Sequence, residues 1–168
     1  RQRQMCIRDR QEPLVSTLEA YFQGKKDLFG GLAMERWEKD WESYLVLHID
    51  FSLTKYMELT DLTGQLNLFL HRWEKIYGKD EAEKTASERL QGIILRASEQ
   101  IGKQVVVLID EYDAPLLDSN SDTALQQQLR NEMRKFFSPP QEVGAVSSLS
   151  LHHRHQQVQP TEHLQRTE

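Results

Sequence analysis

Five consecutive apolar residues, Val105-Val106-Val107-Leu108-Ile109, end abruptly at Asp110-Glu111. Three valines favour an extended backbone, because a β-branched side chain is crowded in a helix and packs well on a pleat. The run does not alternate, so a strand with one wet face is excluded. Both faces must be covered, as in a central strand of a parallel sheet flanked by helices. A second short run, Leu45-Val46-Leu47-His48-Ile49, ends at Asp50 in the same manner. About 55 residues separate the two strands. That length fits a crossover built from two helices, and the chain is expected to be α/β.

Helical periodicity fills the rest of residues 11–138. Leu14, Leu18, Tyr21 and Phe22 share a face before Gly24. Met34, Trp37, Trp41 and Tyr44 recur at three and four, predicting a helix after Gly30-Gly31 whose tryptophans lie in a core or an interface. Leu62, Leu66, Phe69, Trp73 and Ile76 form a long stripe closed by Gly78. Thr85 and Glu88 have capping-box spacing ahead of Leu90, Ile93, Ile94, Ala97 and Ile101. Leu125, Leu129, Met133 and Phe136 mark a last helix. Lys79 to Lys84 is expected to be a loop whose charges face water. His48, inside a strand, is expected to be a satisfied core histidine.

The composition excludes several classes. A net charge of −5 over 168 residues, and −7 over residues 11–138, does not indicate nucleic-acid binding. No apolar run is long enough to span a bilayer, so no membrane partner is expected. A single cysteine excludes an intramolecular disulfide framework and fits a reducing, cytoplasmic compartment.

The two ends differ from the middle. Met5-Cys6-Ile7-Arg8-Asp9-Arg10 has no amphipathic period. ATG TGT ATA AGA GAC AGR, a transposon end used in sequencing libraries, encodes those six residues. Residues 1–10 are therefore expected to be a non-native leader; the alternative is a disordered basic N-terminus. Residues 139–168 contain no Phe, Tyr or Trp but four of the six histidines and five glutamines. Such a stretch cannot offset its ordering entropy and is expected to be disordered. A shifted frame explains it: codons that encode His152 to Glu168 yield TTGISKFSQPSIFSEL when one base is dropped.

One chemical signal stands out. Ligands of parallel α/β sheets sit beyond the carboxyl ends of the strands, and Asp110-Glu111 ends its strand there. An Asp at this place in P-loop NTPases holds Mg²⁺, and a neighbouring Glu can activate water. Two solvated acids opening a loop are the plainer alternative.

Three blocks extend the pattern: LVSTLEAYFQGKKDLF at Leu14 to Phe29, VLHIDFS at Val46 to Ser52, and VVVLIDEYDAPLL at Val105 to Leu117. In order and spacing they resemble the AAA-ATPase-like family of bacterial proteins, in which a P-loop ATPase domain often precedes a domain resembling PD-(D/E)XK nucleases. The resemblance covers about residues 14–138, and the shifted-frame TGISKFS…SIFS is similar to the family's next strand and loop. It implies an incomplete P-loop NTPase-like parallel sheet, with ATP and Mg²⁺ as cofactors of the intact parent. Asp110 matches the Walker B metal ligand and Glu111 the water-activating acid. Tyr112 and Asp113 belong to the same motif, without a role for Tyr112. Asp113 is a nucleotide-site candidate, the plainer alternative being a hydrogen bond to the following turn. Asp50 ends the other strand and is a candidate for the same crevice, with capping as its alternative.

One departure bears on activity. The family's Gly-Lys-Ser phosphate loop should stand immediately before Leu14, where this chain has Arg10-Gln11-Glu12-Pro13. No Gly lets backbone N–H groups wrap phosphate, and no Lys reaches its oxygens. The chain is thus expected to be a fragment of an ATP-hydrolysing protein that keeps the Walker B acids, with little nucleotide affinity of its own. The alternative is a non-catalytic α/β piece. With the first strand missing, one flank of Val105–Ile109 is expected to lie unpaired and to favour aggregation.

Overall fold

A computed structural model describes residues 11–138 and 147–150, with side chains from Leu14 to Ser138. Its sheet has three parallel strands. Leu45–Asp50 (β1) and Val105–Asp110 (β2) pair in register from Leu45 with Val105 to Asp50 with Asp110. Ser147–Ser150 (β3) pairs with the other side of β2, Val106 opposite Ser147 and Ile109 opposite Ser150. The valine-rich strand is therefore central and hydrogen-bonded on both flanks, which corrects the expectation of an open flank. Four residues of the segment expected to be disordered supply that pairing. A strand held by backbone bonds to a buried neighbour needs little apolar content of its own. The shifted-frame segment from His152 and the leader lie outside the described residues.

Alternation along the strands divides the cover. Leu47 and Ile49 of β1 and Val105, Val107 and Ile109 of β2 join the main core. Against them pack Leu59–Tyr77 (the third helix, α3), Ala86–Ile101 (the fourth, α4) and Thr123–Phe137 (the sixth, α6). Val106 and Leu108, also buried, point to the opposite face. Gln11–Phe22 (α1) covers that face, with Val15 and Ala20 buried beneath it. Two short helices complete the fold, Ala33–Trp37 (α2) and Ala114–Asp118 (α5).

The helix limits follow local chemistry. At α4, Thr85 accepts from the Glu88 amide and the Glu88 carboxylate takes the Thr85 amide in return. The amides of Thr85 and then Lys84, both donating to it, hold the Glu88 carboxyl below its ordinary value. Gly102 ends α4 in the left-handed region at φ 67, where a Cβ would be strained. Thr85→Ala removes one side of this box. It should cost about 1 kcal/mol, read as a lower urea midpoint with an unchanged slope.

Four expectations are corrected by packing. The second helix stops at Trp37, which is 78% exposed, and the chain has no regular secondary structure from there to Tyr44. The Glu38 side chain draws the chain out by accepting from the Tyr21 hydroxyl and the Asp40 amide. Leu14 and Ile76 extend their stripes into solvent rather than into the core. Glu83, in the stretch expected to face water, lies against α4, where Arg96 binds it through two nitrogens. His48 is half-buried, and its Nε2 is enclosed without a hydrogen-bond partner rather than satisfied.

No helix among the described residues is long and apolar enough to cross a membrane.

Candidate functional site

The in-register pairing of β1 and β2 makes Asp50 and Asp110 direct neighbours at the carboxyl ends of adjacent strands. Paired residues of parallel strands point to the same face. Both carboxylates thus leave the sheet on the face that α1 covers, since Asp110 continues the alternation of Val106 and Leu108. Each is half-buried and fixed by a local amide: Asp50 Oδ1 accepts from Ser52 N–H at 2.8 Å, and Asp110 Oδ1 from Glu111 N–H at 2.9 Å. Asp50 also caps the 3-10 turn Phe51–Leu53, as its capping alternative has it.

The helix α1 is oriented toward these acids. Its last carbonyl, Phe22 O, accepts from Tyr44 N–H, one residue before β1 begins. Twelve residues at 1.5 Å each carry the helix back along a six-residue strand. Its first turn therefore lies toward the carboxyl ends of the strands, where its free N–H groups and the positive end of its dipole favour an anion.

Glu111 follows Asp110 at φ 49 and is the one non-glycine residue with positive φ among the described residues. Bulky residues avoid that region, and such strain persists only where the surroundings impose it. The Glu111 carbonyl accepts from Ala114 N–H, closing the turn into α5. Asp113 stands at the head of α5, half-buried, and its side chain makes no capping bond. The hydrogen bonds to the following turn come instead from its carbonyl, which accepts from Leu116 and Leu117.

The loops behind the acids are tied together by groups no sequence pattern singles out. Asp118 of α5 accepts from Tyr56 N–H at 3.2 Å and from Lys55 at 3.0 Å. Lys55 is 82% exposed, so the ion pair is worth little; the amide bond fixes the β1 loop to α5. Tyr56 is fully buried and donates to Phe51 O at 2.9 Å. Burial, aided by Asp50, Asp118 and Asp61, pushes its hydroxyl far above the ordinary phenol value. Phe51 and Tyr112, the residues after Asp50 and Glu111, both place their rings against Phe137, with centroids at 6.3 and 5.9 Å.

The donor set suits a cation shared with a ligand. No three His, Cys, Asp or Glu groups converge among the described residues. Mg²⁺ is usually bound through one or two carboxylates, water and substrate phosphates rather than by an all-protein cage. Asp110, with Asp50 beside it, fits that pattern. A separate cleft lined by Tyr21, Glu38, Trp41 and Tyr44 lies near the amino end of β1 and shares no residue with the acids.

Residues 13–149 match the model of the family described as "Predicted AAA-ATPase", and the chain belongs to that family. It is also 32% identical over 126 residues to the "Uncharacterized protein in vnfD 5'region" of Azotobacter chroococcum mcd 1. That match takes in 74% of this chain but 24% of the relative, so the chain spans about a quarter of the relative's length. No solved structure matches significantly.

Proposed function

We propose that this chain carries the acid-bearing wall of a Mg²⁺–nucleotide site, and that the intact protein is a cytoplasmic ATPase. The observation that supports this most is the placement of Asp50 and Asp110 side by side at the strand ends, with Glu111 held in a strained conformation next to them. Asp110 holds Mg²⁺ directly or through water, and Asp50 adds a second carboxylate beside it. Bound Mg²⁺ supplies charge neutralisation at the phosphate oxygens. Glu111 orients the attacking water and takes its proton. Asp113, at the head of α5, is the further nucleotide-contacting residue of this reading.

A specific observation separates this chain from an intact ATPase. Its first thirteen residues contain neither Gly nor Lys, so no loop of the GxxxxGK[ST] kind precedes α1. On this reading the acids can meet a metal, and with no Gly or Lys among residues 1–13 to build a phosphate loop the chain itself is expected to show no appreciable Mg-ATP affinity. Grafting a strand and a GxxxxGK[ST] loop in place of residues 1–13 should confer Mg-dependent ATP binding, which Asp110→Ala should abolish. Calorimetric titration of the three proteins checks it. Tight binding by the ungrafted chain, or a graft whose binding ignores Asp110, contradicts the proposal.

A further inference from the structure

We propose that Phe137, at the last turn of α6, is a positioning residue that sets the backbone of both acid-bearing loops at once. The inference rests on the nucleotide reading of those acids for its functional meaning, but its geometry stands independently. Phe51 is bonded directly to Asp50 and Tyr112 directly to Glu111, so each ring is one peptide from an acid. Both rings contact Phe137: Phe51 edge-on at an interplanar angle of 80°, Tyr112 tilted at 51°. Behind Phe51, Tyr56 packs edge-on at 6.3 Å and is itself fixed through Asp118 to α5. Phe136, adjacent and 2% exposed, seats that end of α6 in the core. The two loops are over 50 residues apart in sequence, and Phe137 is the aromatic side chain that touches both.

The strain at Glu111 needs such a support. A glutamate at φ 49 relaxes toward ordinary backbone unless a neighbour resists. The Ala114 amide bond holds the Glu111 carbonyl, while the contact of Tyr112 with Phe137 holds the following residue. A displacement of the end of α6 would move both rings, and with them the catalytic glutamate and the aspartate beside the metal. This gives α6 control over the geometry of the site.

The test uses the full chain and needs no nucleotide. In ¹H–¹⁵N spectra, Phe137→Ala should shift the Ser52 and Glu111 amides, which bond to the Asp50 and Asp110 carboxylates. It should also move the Glu111 HN–Hα coupling, which reports φ, toward the value of extended backbone. The Ser98 and Gly102 amide resonances, at the far end of α4 where the chain enters the amino end of β2, should stay in place and show that the fold persists. Phe137→Tyr keeps the ring and should restore both signals; Tyr112→Leu, which spares α6, should move Glu111 but not Ser52. An unchanged Glu111 coupling in Phe137→Ala with the fold intact overturns the inference. So does a change confined to Ser52. Because these signals do not depend on ATP, a failure of the nucleotide proposal leaves this outcome readable.

Discussion

In the loop-grafted chain, Glu111→Gln should slow ATP hydrolysis by about 10²–10⁴-fold while Mg-ATP affinity stays nearly unchanged. The expectation follows from what each acid does. Gln matches Glu in size and can still hydrogen-bond water, but it cannot accept the proton. It occupies the left-handed region no more readily than Glu, so the φ of 49 and the turn into α5 should persist. Asp110→Ala differs, because it removes the proposed metal ligand and should abolish binding first. Phosphate release together with calorimetry on the two variants separates the roles. If Glu111→Gln loses binding and turnover in equal measure, Glu111 is a metal ligand and the assignment of a proton acceptor fails.

The largest effect on stability should come from Arg89→Ala. The Glu74 side chain, only 5% exposed, is gripped by Arg89 through Nε at 2.6 Å and Nη2 at 3.0 Å. The same guanidinium reaches Asn67 on α3 at 2.6 Å. Removing Arg89 strands a buried charge, which typically costs about 3–5 kcal/mol. That is a large part of the 5–15 kcal/mol, roughly, that holds a domain of this size together. By contrast the exposed pair of Lys79 and Glu81 should contribute less than about 1 kcal/mol.

The pH dependence has a defined sign. Hydrogen bonding to Arg89 is the main reason the Glu74 carboxyl is held below its ordinary value of 4.5, against the opposing effect of burial. A depressed folded value means the pair stabilises fully above pH 4.5 and loses its contribution as pH falls through the lower folded value. The gap between wild type and Arg89→Ala should therefore be widest at neutral pH and narrow as pH falls, because burial without Arg89 raises the Glu74 carboxyl in the variant and because the wild-type pair is lost in acid. Urea unfolding at pH 7 and pH 3 measures this. A gap of less than 1 kcal/mol at pH 7, or one that widens in acid, would refute the assignment.

How much of the site could be read from the sequence depended on whether the forces were local. The uninterrupted run from Val105 to Ile109 demanded cover on both faces, and it has that cover. The Thr85–Glu88 box and Gly102 act within one turn, so they were legible. The register of Asp50 with Asp110 was not, because strand pairing across about 55 residues leaves no periodic trace. The strain at Glu111 was invisible, since glutamate carries no preference for positive φ. Phe137 falls outside the apolar stripe that marks its helix; its contacts with Phe51 and Tyr112 exist only once three elements meet. Trp37 and Trp41 misled for a related reason. Spacing of four suits a helix, but a single carboxylate, Glu38, found better partners in Tyr21 and Asp40 with the chain out of the helix.

The place of β2 between two parallel neighbours has a bearing on how the fold can grow. A polypeptide joining from outside meets β1 or β3 first, never the strand that ends in Asp110. Additional strands can therefore widen the sheet at either border while the acidic tip keeps its surroundings, so enlargement of the protein and preservation of its chemistry are mechanically separate.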